Sequence, residues 1–211
     1  ILLAYVAVGL MDSVHYRPLL GGQSQDRPVY SNEVLSLLDR VAKPLRSRFE
    51  KTYSAPFAIQ AHTKETLEYP DGRHVREYPR LLHGGAHLQN PGERAADIAT
   101  RAGAATLAGF DIWLVVVAVF LLFWRECGEP LMPAARRLLR GDGEFPWRTV
   151  LVTVGILVLL AANAGYLSLY YHIFGTDQVG QDVFYKSLKS VRTGLVIGTL
   201  TTLVMLPFAA L

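Results

Sequence analysis

The sequence predicts an α-helical polytopic membrane protein with about four transmembrane helices and a small α+β insertion outside the membrane. Of its 211 residues, 51% are hydrophobic and only 18% are charged, whereas soluble domains carry about 25% charged residues. Four strongly apolar stretches, residues 1–11, 112–124, 149–171 and 193–211, contain no Asp, Glu, Lys or Arg. This pattern excludes a single soluble globule, a disordered chain and a disulfide-rich miniprotein. The net charge of +3 is too small to indicate nucleic-acid binding.

The two outer apolar stretches predict truncated transmembrane helices. Residues 1–11 predict the end of a first helix, and residues 193–211 predict the start of a further one. Chain ends are polar, yet Ile1 and Leu211 fall inside apolar runs. We therefore expect a fragment of a longer protein. No signal peptide is indicated, since residues 1–11 follow no basic segment and precede no small-residue cleavage site.

Residues 12–101 predict an insertion domain. Ser31 is suited to cap a helix from Asn32 to about Tyr53, because Ser is a preferred N-cap and apolar residues follow at roughly helical spacing. Pro44 is expected to kink or divide this helix. An amphipathic helix of this kind suits either packing on its own domain or lying on a membrane surface.

The second half of the insertion predicts a β-hairpin and the start of a helix. Residues 63–80 contain the turn sequence Tyr69-Pro70-Asp71-Gly72, in which Pro presets φ and Gly accepts a positive φ. Asn90-Pro91 resembles an N-cap followed by Pro in the first turn. The helix that opens there is expected to lead into the second span.

Five histidines in the insertion raise the question of a metal site. His83 and His87 are spaced as ligands on a helix would be, but Gly84-Gly85 between them argues against a helix. No carboxylate has a matching spacing. The sequence therefore predicts no metal site, and solvated loop histidines are expected: His15, His62, His74, His83 and His87.

Two complete spans are predicted in the middle of the chain, over residues 102–124 and 149–171. The first contains Asp111, which is either functional at membrane depth, or packed against a neighbour, or near the interface. The second contains Asn163 among small residues, which favours a face packed on another helix. Asp111 and Asn163 are thus the candidate intramembrane polar residues.

The connection between these spans, residues 125–148, is predicted to be a cytoplasmic loop. It carries five arginines, and short loops rich in Lys and Arg stay on the cytoplasmic side. Residues 12–101 and 172–192 then lie outside. The single cysteine, Cys127, falls on the reducing side, which suits a free thiol.

Residues 172–192 carry the most informative motif. Gly175 and Gly180 permit tight turns, and Thr176, Asp177 and Asp182 are residue types that cap helices. From Asp182 onward, apolar and basic residues separate onto two faces at helical spacing. This predicts an amphipathic interfacial helix that continues into the last span.

The stretch resembles the HPLGTDxxGRDVxSRLxxGxRxSLxxG signature of the second, C-type permease subunit of dipeptide, oligopeptide and nickel ABC importers. Ile173 replaces the usual Pro and Gln181 the usual Arg, so an ion pair made by that Arg is not expected here. The matching positions are His172, Gly175, Thr176, Asp177, Gly180, Asp182, Val183, Arg192, Leu195 and Gly198.

This resemblance implies a multi-pass protein of the bacterial inner membrane, with residues 12–101 as a periplasmic insertion and 193–211 as the start of the permease core. It implies a second permease subunit, two cytoplasmic ATPases that bind the ATP, and a periplasmic binding protein that delivers peptide. The chain itself would hold no cofactor and no catalytic residue. The motif would form a structural turn, and the loop that couples to the ATPases would lie beyond Leu211.

Two other classes of function compete with transport. A membrane-anchored sensor or assembly protein explains an outer ligand-binding domain over residues 12–101, but not the motif at 172–192. An intramembrane enzyme needs paired catalytic residues within its spans. Asp111 stands alone there, so this class is disfavoured.

Overall fold

A computed structural model of the chain describes residues 2–19, 30–70, 72–126 and 146–210. These residues are mostly helical and include two small sheets. It divides into two compact units, a first unit of Ile1–Ala86 with Tyr171–Leu211 and a second unit of His87–Tyr170. The helices are α1 (Leu2–Ser13), α2 (Leu37–Val41), α3 (Lys43–Arg46), α4 (Arg94–Glu126), α5 (Trp147–Ser168) and α6 (Val183–Ala210), and the strands are β1 (His15–Tyr16), β2 (Leu35–Ser36), β3 (Glu65–Glu68) and β4 (His74–Glu77).

Within the described ranges, three helices are long and apolar enough to cross a membrane: Pro91–Phe123, Trp147–Ser168 and Val183–Ala209. Even the shortest, 22 residues long, reaches about 33 Å at 1.5 Å per residue, against about 30 Å of hydrocarbon. The predicted first span corresponds to the shorter α1. The predicted span at 193–211 is part of a helix that begins at Val183, without a break between its amphipathic and apolar parts.

The second unit is a helical hairpin, in which α4 and α5 run antiparallel. The Trp113 indole N–H donates to the Leu151 carbonyl oxygen at 3.0 Å, and Phe120 packs against Trp147 nearer the connection. A short 3₁₀ turn, Pro91–Glu93, precedes α4. Asn90 flanks this turn as predicted, but its side chain donates to Glu93 instead of capping the backbone. The predicted cytoplasmic loop lies mostly outside the described residues, which resume at Pro146.

The predicted helix over residues 32–53 is wrong. Leu35–Ser36 instead pairs antiparallel with His15–Tyr16, and only α2 and α3 follow. The physical reason is the cap. Ser36, not Ser31, accepts the backbone N–H of Asp39 at 3.1 Å, while the Asp39 carboxylate accepts the Ser36 N–H at 3.0 Å. This capping box starts the first helix of the segment at Leu37. Pro44 lies in the first turn of α3, so the division expected near it is present.

The predicted hairpin at 63–80 is confirmed. Strands β3 and β4 pair antiparallel, with Glu65 opposite Glu77 and Glu68 opposite His74. Gly72 has a φ of +75°, which is the conformation that the turn sequence predicted. Asp71, the third residue of that turn sequence, lies outside the described residues.

Other parts of the first unit pack against α6 itself. Helix α1 runs antiparallel to α6, since Leu195 lies over Gly9 and Arg192 lies 3.9 Å from the Asp12 carboxylate. Two small apolar clusters lie nearby. One joins Ala42 and Leu45 to Tyr185 of α6, and the other joins Ala58, Ala61 and Leu81.

Candidate functional site

His172 lies at the centre of a buried group of charged side chains in the first unit. Its Nδ1 is 2.7 Å from Asp182 Oδ2, and its Nε2 is 3.3 Å from Glu50 Oε1. All three side chains are about 2% exposed. Both ring nitrogens therefore face carboxylates in a site from which water is largely excluded. We call this group the His172 hub.

Glu50 is the member of the hub that the sequence did not predict. Its carboxylate accepts backbone N–H bonds from Leu82 at 2.8 Å, His83 at 2.7 Å and Gly84 at 3.2 Å. The loop after Arg80 thus wraps around one carboxylate and fixes it against the imidazole. A single Glu in an irregular segment has no local sequence pattern that predicts it will bind a distant histidine and loop.

The charge state of the hub follows from these bonds. Burial opposes protonation of His172, but the hydrogen bonds to Asp182 and Glu50 outweigh it and raise the pKa of the imidazole to about 9. Burial likewise opposes ionisation of Glu50, but the bond from His172 and the three backbone donors lower its pKa to about 2. At neutral pH an imidazolium therefore donates from both nitrogens to flanking carboxylates.

Asp182 connects the hub to α6. Its second oxygen, Oδ1, accepts the backbone N–H of Phe184 at 2.8 Å and of Tyr185 at 3.3 Å. These are donors of the first helical turn, which have no partner within the helix itself. One carboxylate thus caps α6 and binds His172, so the start of the apolar helix is fixed to the buried hub.

Residues 175–181 form a closed turn beside the hub. Asp177 Oδ1 accepts the N–H of Val179 at 3.0 Å and of Gln181 at 2.9 Å, and the Asp177 carbonyl accepts the N–H of Gly180. Lys186 forms an ion pair with Asp177, and this bond lowers the pKa of the carboxyl group. Because Lys186 lies on α6, the ion pair ties the turn to the helix.

The turn lies directly on the backbone of residues 50–54. Gly175 and Gly180 have φ values of +74° and +76°. A Cβ atom would lie 2.1 Å from the Ser54 carbonyl oxygen at the first and 1.7 Å from the Glu50 carbonyl oxygen at the second. Both positions therefore require glycine, for conformation and for space. Between them, the Thr176 hydroxyl donates to the Thr52 carbonyl oxygen at 2.8 Å.

The structure thus brings together the six residues that the motif singled out. His172 and Asp182 are in the hub, and Asp177 closes the turn. Gly175, Thr176 and Gly180 contact the backbone of residues 50–54. In this arrangement both nitrogens of His172 are occupied, and the Thr176 hydroxyl faces a carbonyl. These contacts hold the charged groups and the backbone segments of the site in place.

A second charged cluster lies one helical turn along α6. Asp39, which is 4% exposed, accepts hydrogen bonds from the Tyr185 hydroxyl and from Lys189 Nζ, the latter at 3.0 Å. Burial opposes its ionisation, but the bonds from the Ser36 backbone, Tyr185 and Lys189 prevail and lower the pKa of Asp39 well below its usual range. Asp39, the third helical residue of the α2 capping box, is thereby fixed to α6.

The two candidate intramembrane residues belong to the second unit. Asn163 donates to Thr106 Oγ1 at 3.0 Å and to the Leu159 carbonyl at 2.9 Å, so it joins α5 to α4. Asp111 is exposed on α4, and within the described ranges it forms no ion pair.

His87 contacts the Asp97 carboxylate at 2.8 Å. Among the described residues, no group of three or more His, Cys, Asp or Glu side chains is arranged to hold a metal ion.

The chain matches no protein-family model, no curated protein and no solved structure.

Proposed function

We propose that the chain is the C-type permease subunit of an ATP-driven ABC importer whose cargo is peptide. In this proposal it encloses the translocation path together with a second permease subunit in the bacterial inner membrane. Two cytoplasmic ATPase subunits supply the energy, and a periplasmic binding protein delivers the substrate. The chain contributes no chemical step of its own.

The observation that carries the proposal is the compact fold of the motif between His172 and Asp182. All six of its predicted residues belong to the hub or to the turn beside it, and Asp182 of the hub caps α6, a helix of 28 residues. A permease must hold the outer end of such a helix while other parts of the path move. A buried, fully bonded hub suits that task, because breaking it exposes three charged groups.

Three apolar helices and the arginine-rich connection at 125–148 support the membrane part of the proposal. The positive-inside rule puts that connection in the cytoplasm. The hub and residues 12–101 then lie in the periplasm, where a binding protein has access to them. The same orientation places α6 with its Val183 end at the outer surface.

Uptake of labelled peptide tests the proposal most directly. Cells lacking the gene are expected to lose uptake of a labelled tripeptide, and the affinity-tagged protein is expected to co-purify with ATP-hydrolysing subunits. A catalytically dead variant of those ATPases provides the matched control, because it should abolish uptake while leaving the complex assembled. Unchanged peptide uptake, or a tagged protein that purifies without any ATPase, would contradict the proposal.

A further inference from the structure

A cleft of about 630 Å³ opens between α3 and the start of α6. Its walls are cationic, with Lys43 and Arg46 on the α3 side and Lys186 and Lys189 on the α6 side. Among the described residues that line it, Glu33 is the only acidic one. A half-open space with this excess of positive charge favours an anion.

The ion pairs around the cleft leave part of this charge available. Lys189 is bound by the buried Asp39 and Lys186 by Asp177, so both are fixed in position. Arg46 is paired at 2.8 Å with Glu33, but the Glu33 side chain is 68% exposed, and exposed pairs of this kind are weak. Lys43 forms no ion pair within the part of the chain that the structure describes. An incoming anion can therefore engage Arg46 and Lys43 without breaking a buried interaction.

The depth of the cleft along α6 indicates the kind of anion. The uncharged part of α6 begins at Thr193, and at 1.5 Å per residue Lys189 lies about 6 Å before it and Lys186 about 10 Å before it. The headgroup layer on each side of a bilayer is about 5–8 Å thick. If α6 spans the membrane, as the proposed function requires, Lys189 lies at the level of the lipid phosphates and Lys186 lies just outside that layer.

Two aromatic side chains complete the cleft. Phe49 is 46% exposed, whereas Tyr185 is buried, and both line the space between the cations. An exposed apolar ring beside cations suits a ligand that is charged at one end and apolar at the other. A free phosphate ion would use the cations but not the Phe49 ring.

We propose that this cleft binds the phosphate of an anionic phospholipid, with Arg46 and Lys43 as the groups that contact it and with the Phe49 ring against the glycerol end. Guanidinium groups donate two parallel N–H bonds to phosphate oxygens, which makes Arg46 the main determinant. Lys186 and Lys189 form the opposite wall, where Asp177 and Asp39 hold them in position. Basic pockets beside transmembrane helices recognise lipid headgroups in this manner.

The test reconstitutes the full chain in nanodiscs of equimolar phosphatidylglycerol and phosphatidylcholine, then counts the lipids that remain bound in detergent by native mass spectrometry. The wild type is expected to retain phosphatidylglycerol over phosphatidylcholine by about tenfold or more, and Lys43→Gln with Arg46→Gln is expected to remove that preference. The control pair Lys64→Gln with Arg76→Gln makes the same charge change on the hairpin. It should retain the wild-type preference.

Three results would overturn the lipid assignment: equal retention of the two lipids by the wild type, an unchanged preference in the cleft variant, or release of phosphatidylglycerol by millimolar inorganic phosphate. The last of these would assign the cleft to a free anion. A chain that does not enter nanodiscs at all would instead contradict the proposed function. The two failures are therefore distinguishable within one experiment.

Discussion

Gly180 lies so close to Glu50 that a Cβ atom at position 180 would stand 1.7 Å from the Glu50 carbonyl oxygen. In the same place the Glu50 N–H donates to the Gly180 carbonyl oxygen at 2.9 Å. The two backbones therefore touch with no room for a side chain. This contact fixes the turn before α6 onto a segment that is 130 residues away along the chain.

Gly180→Ala is expected to destabilise the first unit strongly. A positive φ alone disfavours alanine by about 1–2 kcal/mol, and here the backbone must also move to relieve the contact with Glu50. The matched control is Gly72→Ala, because Gly72 has nearly the same φ of +75° but no atom within 4 Å of the place that a Cβ would take.

Thermal aggregation midpoints, read by fluorescence-detected size-exclusion chromatography in detergent, compare the two glycine variants. The position 180 variant should fall below the position 72 variant by several degrees, since about 1 kcal/mol shifts the midpoint of a chain this long by about 2–4 °C. Equal midpoints would mean that the close approach to Glu50 does not matter for stability.

His172→Gln should lower stability by about 3–5 kcal/mol, because it leaves two buried carboxylates without their cation. The coupling to Glu50 is measurable in a double-mutant cycle. Glu50→Gln is expected to cost much less in the His172→Gln background than in the wild type, since its charged partner is then already absent. Additive effects of the two substitutions would show that the hub does not act as one unit.

The parts of this fold that sequence reasoning reached are those governed by local chemistry. A run of about 20 apolar residues must become a helix in lipid, and Pro-Asp-Gly sets a turn by its own φ preferences. The start of α2 also has a local sequence signal, because Ser36 and Asp39 have capping-box spacing. Ser31, however, is an alternative N-cap. Only the pairing of Leu35–Ser36 with His15–Tyr16 decides between them.

Glu50 illustrates what sequence reasoning did not reach. Its partner His172 lies 122 residues away, and its backbone donors come from the loop at 82–84. None of these contacts leaves a periodic or spaced pattern near position 50. The motif residues were identified by their turn chemistry, whereas the surface that they dock on became visible only in three dimensions.

Because of the hub, the free energy of unfolding should fall as the pH becomes alkaline. The pKa of His172 is raised from 6.5 to about 9 in the folded state, so its stabilising contribution is complete below about pH 6.5 and is lost as the pH rises toward 9. The wild type should therefore lose stability between these values. His172→Gln should show a flatter profile over the same range, because the titrating group is gone.

The pKa of Glu50 is shifted in the opposite direction, so Glu50 makes stability fall at acidic pH. Its pKa is lowered from 4.5 to about 2 in the folded state, so its contribution is present above about pH 4.5 and is lost as the pH falls toward 2. Urea unfolding of the wild type and of both hub variants, followed by circular dichroism across about pH 3–9, measures both limits. Parallel profiles for the three proteins would contradict the assignment of charges in the hub.

Thr106→Val is expected to have only a small effect, although it removes a hydrogen bond between apolar helices. Asn163 keeps its second acceptor, the Leu159 carbonyl oxygen, and such bonds contribute about 0.6 kcal/mol on average in membrane proteins. Steric trapping or urea unfolding in detergent gives the value. A loss above about 2 kcal/mol would assign Asn163 and Thr106 a larger role in holding α4 against α5.

Cysteine labelling tests the orientation that the proposed function requires. Cys127 is the only cysteine of the chain and lies outside the described residues, in the connection that the positive-inside rule assigns to the cytoplasm. In spheroplasts, a membrane-impermeant maleimide is expected to label it only after permeabilisation.

The matched control is Cys127→Ser with Thr66→Cys, which moves the thiol to the exposed face of β3. That variant should be labelled without permeabilisation, because the proposal places β3 in the periplasm. Labelling of Cys127 in intact spheroplasts would reverse the orientation, put the His172 hub in the cytoplasm and remove the periplasmic binding protein as its partner.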